Sequence, residues 1–265
     1  MSGWREVKLD DVCERVTVGH VGKMADQYVL SGIPYLRSKD VAPFVIRDSE
    51  LLMIGADFHQ RLAKSTLRYG DVVVVRTGYP GTAAVVPRHL DGANCSDLVI
   101  LTPSAELNPH FLAGIFNSSW GRAAVRDTLV GAAQQHFNVG SAKAMRVSLP
   151  DRPTQDRVAS VLCALNRLIE NNMRRIALLE QMAQAIYREW FIHFRYPGHE
   201  DDKLVDSHLG LIPVEWRVGT VDDICSRIQA GGTPRRSEPR HWDDPQVTHR
   251  SVTATPSSLR AATVG

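Results

Sequence analysis

Three stretches of this 265-residue chain concentrate side chains suited to recognising a polar surface rather than to making or breaking bonds. IPYLRSKDV at 33–41 sets Arg37, Ser38 and Lys39 side by side, and VVRTGYPGT at 74–82 carries Arg76 and Thr77 at the end of an apolar run. GAAQQHFNVGSAK at 131–143 adds Gln134, Gln135, His136, Asn138 and Lys143. Arginine offers a bidentate fork to guanine, and glutamine or asparagine does the same for adenine, while lysine and serine hold phosphates. Double-stranded DNA is therefore the ligand this mixture would fit. A solvated polar loop accounts for each stretch equally well on composition, so both readings stand at this point.

A catalytic constellation is not found. Glu200-Asp201-Asp202-Lys203 hints at a carboxylate–lysine cluster but sits in a polar segment with no preceding strand to hold it. RTGYPGT at 76–82 matches neither a dinucleotide fingerprint nor a P-loop, and a tight turn explains its glycines better. The ten histidines show no H-E-x-x-H or other metal spacing, and there is no G-x-S-x-G elbow. The expectation is a chain with no catalytic residues and no metal site.

At 43% hydrophobic, the chain can bury one good core with an extra element beside it. The formal charge of +2 means that any nucleic-acid surface must be a local patch. Cys13, Cys95, Cys163 and Cys225 form no C-x-x-C pair, so reduced thiols are expected rather than a disulfide framework. The opening MSGWREVKLDD has no apolar leader core, and no stretch approaches 18 apolar residues. A soluble cytoplasmic protein is expected.

The elements that must carry these side chains are legible in part. DVVVV at 71–75, AAVVP at 83–87 and DLVILTP at 97–103 read as strands, and MRVSLP at 145–150 as a last one. Between 109 and 129, Phe111, Leu112, Ile115 and Phe116 fall at helical spacing, with Trp120 and Ala124 continuing the face. Farther on, Val158, Leu162, Leu165, Ile169, Asn172, Ile176, Leu179, Ala183, Ile186 and Trp190 recur at intervals of four and three. That is a heptad seam with one polar interruption, Asn172. Pro153 sits where a first helical turn tolerates it, and Pro197-Gly198 ends the run. A helix over about 154–195 would be roughly 60 Å long and wants a helical partner. Residues 198–215 read as a linker.

The chain then begins again. WRVGTVDDICSRI at 216–228 repeats WREVKLDDVCERV at 4–16 without a gap. Trp4, Arg5, Asp10, Asp11, Cys13 and Arg15 recur as Trp216, Arg217, Asp222, Asp223, Cys225 and Arg227, each offset by 212 residues. One full repeat is thus followed by the start of another. After Asp244 the sequence loses aromatic residues and apolar period, so 245–265 reads as a disordered tail.

GHVGKMADQYVLSGIPYLRSKDV, LRYGDVVVVRTGYPGTAAVVP, NCSDLVI, GAAQQHFNVGSAK and IENNMRRIALLEQMAQAIYREWF with FRYPGHE after it occur here in order. They resemble the DNA specificity subunits of type I restriction-modification systems, over residues 4 to about 244. The resemblance implies an α+β chain: a strand-rich target recognition domain at 1–150, then a coiled-coil-forming spacer helix at 151–197. The 198–215 linker leads to a second recognition domain beginning at 216–244. In such subunits two helices pair antiparallel as a spacer, and each domain reads half of a bipartite site in duplex DNA. The resemblance also implies no catalysis in this chain. Methyl transfer with S-adenosylmethionine belongs to modification subunits, and cleavage to a restriction motor subunit that uses ATP and Mg. Two features depart from the pattern. LPDRPTQDRVASVL at 149–162 lacks the usual Pro-Pro pair and Glu, and the sequence after Asp244 does not continue the second domain. The expectation is a truncated subunit with an incomplete second domain, acting either as a homodimer of half-subunits joined through the helix or as a remnant that docks modification subunits without productive DNA recognition.

Overall fold

In a computed structural model, which describes residues 3–129 and 136–228, the β-branched run is a strand, Val72–Val75, buried at every residue. It lies in a four-stranded antiparallel sheet of spatial order Cys13–Val18, Leu98–Pro103, Val72–Val75, Ala83–Val85. Successive side chains of a strand point to opposite faces. Val72, Val74, Val99 and Leu101 accordingly enter one core with Leu9, Phe111, Phe116 and Val147. Val73, Val75, Leu98 and Ile100 enter another with Leu36, Leu67, Leu90 and Cys95. Both faces of the sheet are covered, which is why these strands read as continuous apolar runs instead of alternating.

A smaller sheet, ordered Asn94–Cys95, Ile33–Leu36, Leu52–Ile54, Tyr28–Val29, packs around Tyr35, Ile54 and Leu62. The expected strand near 145–150 is Arg146–Leu149, and its partner is Arg5–Lys8, the first copy of the repeat. Directly after it, Leu9–Val12 makes one helical turn whose Leu9 and Val12 plug into the core.

The helix expected over 109–129 is two helices, Pro109–Asn117 and Ser119–Asp127, broken at Ser118. Ser118 has extended backbone, and its side chain accepts the Gly121 N–H as an N-cap. Gly121 is required there, since a Cβ would lie 2.0 Å from the Ile115 carbonyl oxygen. After the break Trp120 stands half-exposed beside Phe111 and Ile115.

The chain divides into two compact units, Met1–Ile176 and Ala177–Gly265. The long helix, Arg152–Tyr187, is continued by a π turn at Arg188–Ile192. Its start is fixed to the first unit by Gln155, which is buried. That side chain accepts from Asn108 N and donates to the carbonyls of Glu106 and Pro150. Asn108 meanwhile caps the helix that follows it and donates to Asp156.

In the second unit Trp216 packs against Phe191, Phe194 and Tyr196. The segment expected as a linker contains a β-hairpin, Leu204–Ser207 with Gly210–Pro213. Gly210, at φ 101°, supplies a left-handed residue at its turn. The second copy of the repeat forms a one-turn helix at Val221–Ile224, the equivalent of Leu9–Val12. Its surroundings differ, however. Leu9 and Val12 are 0% and 3% exposed, whereas Val221 and Ile224 are 62% and 67% exposed. Gly231 and the rest of the expected second domain and tail, from 229 on, lie outside the described residues.

Candidate nucleic-acid interface

Asp97, in the NCSD turn that leads into the strand Leu98–Pro103, is where two of the polar stretches converge. It adopts a left-handed backbone at φ 51°, uncommon outside glycine. Neighbouring backbone holds it there. The Asp97 N–H donates to His20 O at 3.1 Å, the His20 N–H to Cys95 O at 2.8 Å, and the Ser96 N–H to Leu36 O at 2.9 Å. Gly19 permits this approach, because a Cβ at that position would come within 2.6 Å of the Cys95 carbonyl oxygen.

Around that turn the side chains are organised as one network. Arg76 donates through Nη1 to one Asp97 carboxylate oxygen at 3.1 Å, and Thr77 donates its hydroxyl to the other. Ser38 donates its hydroxyl to the Asp97 carbonyl at 3.2 Å, and Arg76 Nε donates to the Phe137 carbonyl at 3.0 Å. The stretches at 33–41 and 74–82 therefore meet at Asp97, and Arg76 ties the 136–143 stretch to them through the Phe137 carbonyl.

Most of the polar groups singled out by type hold the loops together. Arg37 forms a two-pronged pair with Asp40, whose carboxylate also accepts the Arg37 backbone N–H. Those bonds raise the guanidinium pKa above its ordinary value, outweighing partial burial. Asn138 caps the helix Val139–Ala144 by accepting from Ser141 N, and Lys143 faces Asp10 at 3.0 Å. Gln134 and Gln135 lie outside the described residues. Lys39 and His136 are exposed beside this network. So is Tyr79, at 85%, on a turn whose Gly78 and Gly81 have φ of 78° and 89°. Tyr79 was not among the residues singled out by type, although an aromatic flanked by Gly and Pro-Gly was the available signal.

A second polar centre, inside the central sheet, is structural. Asp71 accepts from Arg15 Nη2 at 2.6 Å, from Thr102 Oγ1, and from the Arg68 backbone N–H. Among the described residues no group of three or more His, Cys, Asp or Glu is placed to hold a metal ion. Among the same residues no helix is long and apolar enough to cross a membrane. Asp202 of the Glu-Asp-Asp-Lys segment accepts the Tyr196 hydroxyl.

The seam residues of the long helix divide by position. Leu162 is half-buried, whereas Leu165, Ile169, Ile176, Leu179 and Ile186 are 46–62% exposed. Asn172 and Ala183 are exposed as well, and Val158 and Trp190 stand at 37% and 39%. From Leu165 onward the stripe is a bare apolar face on a single chain.

No protein-family model matches the chain. Among curated proteins it is similar to the type I restriction enzyme MjaIX specificity subunit of Methanocaldococcus jannaschii, at 24% identity over 136 residues. It is also similar to the type I restriction enzyme HindI specificity subunit of Haemophilus influenzae, at 24% identity over 201 residues. These matches cover 51% and 73% of this chain, which spans 32% and 42% of the length of those relatives. Among solved structures, the S subunit of a type I restriction-modification system from M. genitalium superposes with a TM-score of 0.51 at 12% identity. That match covers 72% of this chain and 46% of the other, and shows a shared fold.

Proposed function

From its resemblance to type I restriction specificity subunits in sequence and in fold, we propose that this chain supplies a DNA address rather than a chemical step. The strand-rich unit acts as a target recognition domain that reads half of a bipartite duplex site. The long helix is the spacer and the surface on which modification subunits and, through them, the restriction motor assemble. S-adenosylmethionine, ATP and Mg belong to those partners. The observation that carries the reading is the single hydrogen-bonded network that joins three polar loops through Asp97 and Arg76.

The division of labour follows from the hydrogen bonds. Arg37, Ser38, Arg76 and Thr77 make the platform rigid, and Lys39, Tyr79 and His136 present a cation, an aromatic ring and an imidazole to a ligand. Good base contacts are worth about 1–3 kcal/mol each. A small domain therefore discriminates modestly, and two readers joined by a stiff helix multiply their selectivity. The bare seam supports self-association of this chain, with two copies pairing antiparallel and each presenting one reader.

The test is co-expression with a modification subunit, followed by mapping of methylated bases across the host genome. A symmetric bipartite motif is the expected result. A complex that forms but marks no motif would overturn the reading role and leave only the docking one.

A further inference from the structure

Val72–Val75 and Ala83–Val85 are the two arms of a β-hairpin, and the loop between them, 76–82, is held by its own backbone. The ladder runs on past the strands. The Val75 N–H donates to Thr82 O at 2.8 Å, and the Gly81 N–H to Val75 O at 3.0 Å. Inside the loop the Tyr79 N–H donates to Thr77 O at 3.0 Å, and the Thr82 N–H to Tyr79 O at 3.2 Å. Gly78 and Gly81 supply left-handed backbone on either side of Tyr79, and Pro80 has its φ fixed by its ring. At the base, Arg76 and Thr77 tie the loop to Asp97.

On this fixed mount stands an uncovered aromatic ring. At 85%, Tyr79 is the most exposed aromatic side chain among the described residues, the next being Tyr69 and Tyr187 at 57%. Those two have partners: the Arg88 guanidinium lies 4.7 Å over the Tyr69 ring, and Tyr187 stacks on Phe191 at 5.2 Å. Tyr79 has no such ring or cation against it among the same residues. Its side chain therefore adds little to the fold, while its backbone has already lost its freedom. A ligand that covered the ring would gain apolar burial at a small cost in ordering.

In duplex DNA one groove suits this shape. The major groove, about 12 Å wide, admits a two-stranded ribbon, and its base edges are almost wholly hydrogen-bonding atoms. The one apolar group they present is the C5-methyl of thymine. We propose that the 76–82 loop enters the major groove and that the Tyr79 ring packs on a thymine C5-methyl, so that Tyr79 selects an A·T pair at one position of the half-site. The inference rests on the recognition role proposed above and names one group that role reads.

The test is fluorescence anisotropy of the complex with a modification subunit on a duplex carrying the motif that the methylation mapping yields. Replacing each thymine of the motif in turn by deoxyuridine removes the C5-methyl alone. One such replacement is expected to weaken binding about fourfold, the worth of one buried methyl. Tyr79→Ala is expected to bind the thymine duplex more weakly and to be indifferent to that replacement, with an unchanged circular dichroism spectrum. Tyr79→Phe, which keeps the ring, should keep the sensitivity. A loss on replacement that persists in Tyr79→Ala, or a motif in which no thymine methyl matters to the unmodified chain, would overturn the assignment and leave the recognition role standing. A complex that marks no motif would remove the recognition role itself, and this inference with it.

Discussion

Asp97 holds both hydroxyls and one guanidinium of the loops around it, so its removal has a definite cost. Asp97→Ala leaves Arg76 and Thr77 without their acceptor and is expected to lower stability by about 1–3 kcal/mol, read from the urea midpoint. Asp97→Asn keeps an acceptor but loses the charge, and should fall between the two. At the thiols the governing effect is burial. It pushes Cys13 up to about 12, with the nearby Asp10 carboxylate adding to it, and burial pushes Cys95 up as well. In the unfolded chain these thiols ionise first, near the ordinary thiol value of 9.0. Stability from their burial is therefore complete below that pH and declines as pH rises toward about 12. Titrating the denaturation midpoint from pH 8 upward checks the sign. Iodoacetamide at pH 8 is expected to leave Cys95 unmodified until denaturant is added.

Elements show where local signals carry and where they stop. Gln155 satisfies three backbone groups at once, so Gln155→Leu should loosen the start of the long helix and speed amide exchange there by tenfold or more. Asn108→Ala loses a helix cap and the link to Asp156, an expected cost of about 1–2 kcal/mol by thermal unfolding. Asn172→Leu is expected to tighten self-association while admitting more than one register, visible as several cross-linked species. The strands at 72–75, 83–85 and 98–103 and the long helix were legible because apolar runs and heptads are local patterns. Strands of two to four residues, such as Tyr28–Val29 and Asn94–Cys95, have too few positions for any period to show. The hairpin at 204–213 was hidden by exposed side chains that read as linker. The candidate loops were legible by residue type, but type does not say where a guanidinium will bond. Asp97 was missed because its partners lie 20 or more residues away, where no local pattern reports them.

At the scale of the whole molecule, the proposed self-association would couple stability to concentration. The melting temperature of the full chain is expected to rise with protein concentration, which differential scanning calorimetry over a hundredfold range would show. The pairing of Arg5 with Leu149 has a further meaning in time. The first strand made cannot find its neighbour until residue 149 exists, which at about 5–20 residues per second is a wait of roughly 7–30 seconds. The near copy at 216–228 is synthesised only after that edge can close. Two segments with the same key residues could compete for one slot, and the order of translation favours the first.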